Sequence, residues 1–159
     1  AVHRPTGLSR PALVRGPMAD APLASTIVAL ALIPVAFFFV HAYLSGRRGL
    51  PYHRLTGTVA VAWDLTLSIA YMLYRTFGGE VEGSSLEIEG AVLVYFMVHG
   101  IVAVLVMVLE TVMLVSGALT AAKKKDMSQL HMRLSPYLLV LWFAAFASGE
   151  VVYVVSYMI

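Results

Sequence analysis

The sequence predicts an all-α integral membrane protein, an up-down four-helix bundle with both termini outside. Three observations carry this expectation. Of its 159 residues, 60% are hydrophobic and 13% charged, where a soluble domain has about half and about a quarter. So few charges cannot clothe a water-facing surface. Four segments reach the roughly 20 apolar residues that a helix needs to cross the hydrocarbon layer. The loops between them are segregated by charge sign.

The helices are expected at about 22–45, 53–77, 90–118 and 136–158. Segments this long, with no period-two alternation, cannot be barrel strands, so helices are the spanning option left. Pro34 should kink the first, because it withholds an N–H from the carbonyl four residues earlier. The fourth has a start signal in Ser135 as N-cap followed by Pro136, whose missing N–H is harmless in a first turn.

Loop charge gives sidedness. Arg47, Arg48 and Arg54 follow the first helix; Lys123, Lys124, Lys125 and Arg133 follow the third, against Asp126. The loop GGEVEGSSLEIEG (78–90) carries Glu80, Glu82, Glu87 and Glu89 and no base. By the positive-inside rule the basic loops are cytoplasmic in a multi-pass protein of a prokaryotic cell membrane. Residues 1–21 disagree, since Arg4, Arg10 and Arg15 would then face outward. With three prolines and no apolar run in AVHRPTGLSRPALVRGP, this is no signal peptide. The expectation is a disordered or mis-assigned extension, without whose three arginines the formal charge falls from +2 to −1.

The absence of cysteine excludes disulfides, thiolate metal sites and covalent c-type heme attachment. No phosphate-cradling Gly-rich loop, Ser-His-Asp set or HExxH occurs, and no basic, aromatic-interleaved patch points to nucleic acid. Enzymatic activity is left undecided, with the balance against it and no catalytic residue assigned. The KKK run reads as a topology determinant in contact with anionic lipid.

Ionisable groups inside a bilayer are expensive and face a bundle interior or a cavity. Here they are His41, Asp64, Arg75, His99, Glu110 and Glu150, with His53 and His131 at the inner boundary. A step of eleven residues returns to nearly the same helix face. His53, Asp64 and Arg75 keep this step, as do His99 and Glu110, and His131, Trp142 and Tyr153. At 1.5 Å per residue, His53 and His131 share an inner layer, with His41 about a turn deeper. Asp64, Glu110 and Trp142 share a middle layer, and Arg75, His99 and Glu150 an outer one.

The residues leave alternatives open. His53 and His131 are candidate heme-iron ligands through neutral imidazole, or polar residues at ease among interfacial bases. His99, between VYFMV and GIVAVLV, is a third candidate ligand, or bonds a serine of the fourth helix or Glu150. Asp64 and Glu110 are a proton relay or a structural pair. Arg75 snorkels or holds a heme propionate. Met127, His131 and Met132, and Met97 beside His99, permit copper(I), though eight methionines in an apolar chain make chance proximity the better account. Gly117-Ala118, Ala144-Ala145 and Ala147-Ser148-Gly149 are small-residue stretches suited to helix packing, within the bundle or against a partner or second copy.

From helix one to the C-terminus the chain resembles the CtaM-like family of small prokaryotic membrane proteins, which includes the maturation factor of aa-type heme–copper oxidase and relatives of unknown function. The resembling pieces are His53-Arg54, Arg75-Thr76, FGG at 77–79, His99, H-x-x-L-x-P from His131 to Pro136, Trp142-Phe143, Gly149 and Tyr153. No piece is specific alone; their order is moderately so. The resemblance implies a four-helix protein serving cytochrome oxidase assembly in the respiratory chain, with oxidase subunits as partners and His53, His99 and His131 as the matching histidines. The chain departs from the family at His41, at Glu150 in place of an apolar residue, and in its acidic outer loop. Two further readings stand beside it. One is a small b-type cytochrome or a compact heme A synthase-like redox protein, although PYHR lacks that enzyme's glutamate before histidine. The other is a structural accessory subunit of a respiratory oxidase.

Overall fold

A computed structural model describes residues 22–77 and 88–158. The N-terminal extension and Glu80, Glu82 and Glu87 of the acidic loop lie outside the described residues. Within them the chain is all-helical and has no strand. It forms α1 (Leu23–Arg47), α2 (His53–Phe77), α3 (Gly90–Ala121) and α4 (Ser128–Tyr157). All four are long and apolar enough to cross a membrane.

Local chemistry explains where the helices stop. Past α1, Gly49 takes a left-handed φ of +66°. This lets the Gly49 N–H donate to the Gly46 carbonyl (3.0 Å) and the Leu50 N–H to the Ser45 carbonyl (2.9 Å). These are the paired bonds of a Schellman stop, followed by Pro51, and the chain turns at once into α2. The end of α3 repeats the device with a lysine. Lys123 has φ +54°, while Lys123 and Lys124 donate to Thr120 and Leu119, each at 3.1 Å. A side chain in that conformation costs about 1–2 kcal/mol. Lys123→Gly is therefore expected to stabilise the fold by about 1 kcal/mol, read as a higher unfolding midpoint in detergent; an unchanged or lower midpoint would contradict it. The α3–α4 turn is closed by Thr120 Oγ1, which accepts the Met127 N–H at 3.0 Å. Asp126 Oδ1 accepts the Ser128 N–H at 3.0 Å, and its bonds to Ser128 hold this exposed carboxyl below its ordinary range.

The fourth helix corrects an expectation. It begins at Ser128, eight residues before Pro136, and runs through the proline. Pro136 has no N–H for the Met132 carbonyl; the Ser135 hydroxyl donates to that carbonyl instead, at 3.1 Å. Ser135 is thus a repair inside the helix, not its cap. His131 lies on regular helix as a result, and its eleven-residue step to Trp142 and Tyr153 is a real register.

The helices form a ring in which α1 packs on α2 and α4, and α3 on α4 and α2. The outside is oily: Phe37, Leu55, Ile101 and Val140 are among many large apolar side chains left exposed. The interior is where polar groups hide, with Asp64, Glu110, Ser45 and Ser116 buried. Val35, Phe39, Val61, Val106, Met113, Leu138 and Trp142 surround them. This inversion of a soluble protein's surface suits a hydrocarbon solvent, where a polar group must find its partner inside.

Candidate functional site

Two histidines meet between the helices. The His53 and His131 rings approach edge-on, with centres 5.9 Å apart and planes at 85°. Each is anchored by a third or fourth helix. His53 Nδ1 lies 2.9 Å from the Ala42 carbonyl of α1. A carbonyl only accepts, so Nδ1 carries the proton and, in the neutral ring, Nε2 keeps its lone pair. His131 Nδ1 lies 3.1 Å from Ser116 Oγ on α3. The Ser116 hydroxyl also lies 3.1 Å from the Met113 carbonyl; when it donates there, His131 Nδ1 is the donor and Nε2 is the basic nitrogen of this ring too. A hydrogen bond on one ring nitrogen that fixes the other for coordination is how metal-binding imidazoles are oriented.

Both rings line a cavity of about 370 Å³. Its walls come from all four helices and are chiefly apolar, including Phe39, Val61, Met113 and Leu138, with Arg54 as a cation at its edge. Glycines make room for the rings. A Cβ on Gly46 would stand 2.7 Å from His53 Nδ1, and one on Gly117 3.4 Å from His131 Cε1. Among the described residues no group of three or more His, Asp or Glu side chains could hold a metal ion. The site is a two-imidazole set.

The other candidates sit elsewhere. His41 is exposed and stacks on Tyr52, ring centres 5.4 Å apart; its neighbours Phe39 and Ala42 take the buried face of α1, which turns His41 outward. It is not part of the cavity. His99 is half-buried and bonds the Ser148 hydroxyl through Nδ1 at 2.8 Å, the serine reading rather than the Glu150 one. The structure does not bring His99 to His53 and His131. Glu150 is half-buried on α4. Arg75 lies 22 residues along α2 from His53, about 33 Å away, within electrostatic reach of Tyr157. It lies far from the histidine cavity, whose lining includes Arg54 instead. Tyr153 bonds Thr26 of α1 at 3.0 Å, and Tyr71 bonds Ser25 at 3.0 Å.

Asp64 (4% exposed) and Glu110 (0%) are brought together in the core beside Trp142 (2%). Of the small-residue stretches, Gly117 and Gly149 face inward at histidines, while Ala144 and Ala147 are exposed. A Cβ at Gly149 would sit 3.4 Å from His99 Cε1. Gly149→Ala should be accommodated by a small shift, while Gly149→Leu should drive His99 off Ser148 and lower stability by about 1–3 kcal/mol through overpacking. Equal unfolding midpoints for the two variants would refute this.

In the sequence Arg54 reads as a topology marker and as part of the His53-Arg54 piece, and nothing there singles out Ser116 or Gly46. The one available signal was their chemistry: a glycine and a serine in apolar helices opposite a histidine. Comparison with protein-family models, with curated proteins and with solved structures finds no match for this chain.

Proposed function

We propose that the chain holds a heme through His53 and His131 and serves the assembly or cofactor maturation of a heme–copper terminal oxidase in a prokaryotic cell membrane. The observation that carries the heme reading is the pair of imidazoles on one apolar cavity, each engaged through Nδ1 with Nε2 left free of that bond. Their ring centres are 5.9 Å apart, close enough for both imidazoles to serve one bound group. The oxidase assignment rests on the ordered resemblance of the sequence pieces, and oxidase subunits are the partners it names. The orientation proposed is up-down, with basic loops cytoplasmic and both termini outside, because Arg47, Arg48, Lys123, Lys124 and Lys125 flank one end of the spans. The cavity then lies at the cytoplasmic end.

The residues act by holding. His53 and His131 would hold the group through their imidazoles; the Ala42 carbonyl and Ser116 hydroxyl keep those rings from rotating; Arg54 would offer a charge-assisted partner to a propionate. A bound heme would supply one-electron chemistry, or be the cargo delivered.

Purified protein from heme-replete cells should show a reducible bis-imidazole absorption spectrum, lost in His53→Ala and in His131→Ala but retained in His41→Ala and His99→Ala. A colourless protein would refute heme holding. Deleting the gene should leave oxidase protein that accumulates without its heme; fully active oxidase in the deletion strain would refute the maturation role and favour a small b-type cytochrome. One observation favours a second cofactor. The Met113 thioether lines the same cavity, and two imidazoles with a thioether suit copper(I). Copper in a colourless preparation, lost in Met113→Leu, would decide for it.

A further inference from the structure

Eleven residues beyond the histidines on both α2 and α4 lies a second polar centre that the heme reading does not use. Glu110 is completely buried, Asp64 is 4% exposed, and the two carboxyl groups adjoin. Among the described residues no N–H or O–H donor reaches either Glu110 oxygen. The other neighbours are Ser68 on α2 and the Trp142 indole on α4, grouped around Asp64. Neither is a cation. From α1, the ring packed against this indole is Phe39, tilted by 33° with centres 4.7 Å apart.

Two ionised carboxylates in contact within an apolar core would combine like-charge repulsion with the loss of hydration. A buried carboxyl oxygen without a donor is equally unfavourable. One proton relieves both problems. It removes a charge and turns one carboxyl into the donor the other requires, and Asp64 can partner Glu110 only in that state. We infer that Asp64 and Glu110 form a proton-binding site in the bundle core, holding one exchangeable proton between their two carboxyl groups. This inference is independent of the heme reading, and the colour of the protein does not bear on it.

The site has an approach. Val61 and Met113, which line the histidine cavity, stand one helical turn from Asp64 and Glu110 respectively; Leu138 bears the same relation to Trp142. A single apolar layer separates the carboxyl pair from the cavity. The proton enters and leaves across that layer.

Infrared spectra of the detergent-solubilised full chain at neutral pH test this. A protonated-carboxyl C=O band is expected, shifting to lower frequency as deuterium replaces the shared proton. Asp64→Asn and Glu110→Gln should each move the band, since each changes the hydrogen-bond partner of the remaining carboxyl. The Asp64→Asn, Glu110→Gln double variant should lose it. Absence of the band from the unaltered protein, insensitivity to deuterium, or persistence of the same band in the single or double variants would overturn the site. Val61→Ala, which thins the apolar layer, should speed deuterium uptake several-fold; an unchanged rate would overturn the approach from the cavity.

Discussion

Truncating Trp142 to alanine will lower the stability of the detergent-solubilised bundle by about 3–5 kcal/mol, the range for emptying a buried large aromatic site. The indole is 2% exposed and touches three aromatic rings. Phe39 lies at 4.7 Å between centres, and Phe143 and Phe146 at 5.2 Å each. In lipid the solvent is as apolar as the side chain, so little transfer energy favours burial. Packing contacts and the unfilled cavity decide the outcome. The indole also stands beside Asp64, so its loss strips a polar neighbour from a buried carboxyl. Trp63 provides the control. It is 39% exposed and meets Phe38 at only 6.3 Å, so Trp63→Ala should change stability by about 0.5 kcal/mol or less, as surface substitutions do. Unfolding midpoints that fall equally for the two variants would show that the core is not organised around Trp142.

If His53 holds a heme as proposed, Gly46→Ala will separate stability from cofactor binding. The new methyl would stand 2.7 Å from His53 Nδ1 and 2.9 Å from its Cε1, closer than atoms tolerate. The obstruction is the end of a flexible side chain, so the ring swings away and surrenders its 2.9 Å bond to the Ala42 carbonyl. Loss of that bond costs about 0.5–1.5 kcal/mol. Replacing glycine within the helix returns about 1 kcal/mol of propensity. The two nearly cancel, and the unfolding midpoint should hardly move. Affinity has no such compensation: removal of a bond that orients a ligating imidazole typically weakens metal binding about 10–100-fold. Heme retained at undiminished affinity in Gly46→Ala would mean that His53 is not held for coordination. An equally large loss of stability would mean that the glycine serves packing alone.

Much of the architecture was legible because lipid imposes coarse demands. A stretch such as 90–118, nearly free of charge, must be a spanning helix, since no other structure satisfies its backbone in hydrocarbon. The eleven-residue steps placed His53 with His131, and Asp64 with Glu110 and Trp142, at common heights. Both groups are in contact in the structure. The failures have particular causes. Pro136 marks a helix start in most contexts, but here Ser135 satisfies the stranded Met132 carbonyl, a repair that single-residue propensities do not register. His41 lies within about a turn of the height expected of a site residue, but height says nothing about which way a helix faces.

The amino-acid sequence alone determined that this chain folds as four apolar helices, and at which level along them each polar residue lies, because both follow from length, composition and a fixed rise per residue. Only the tertiary structure decided azimuth. It turned His41 outward and His53 and His131 inward, gave each inward ring a hydrogen-bond partner on another helix, and buried Glu110 against Asp64. The physical reason is that helix rotation is set by how side chains of different helices fill space together, a property no single stretch of the chain contains.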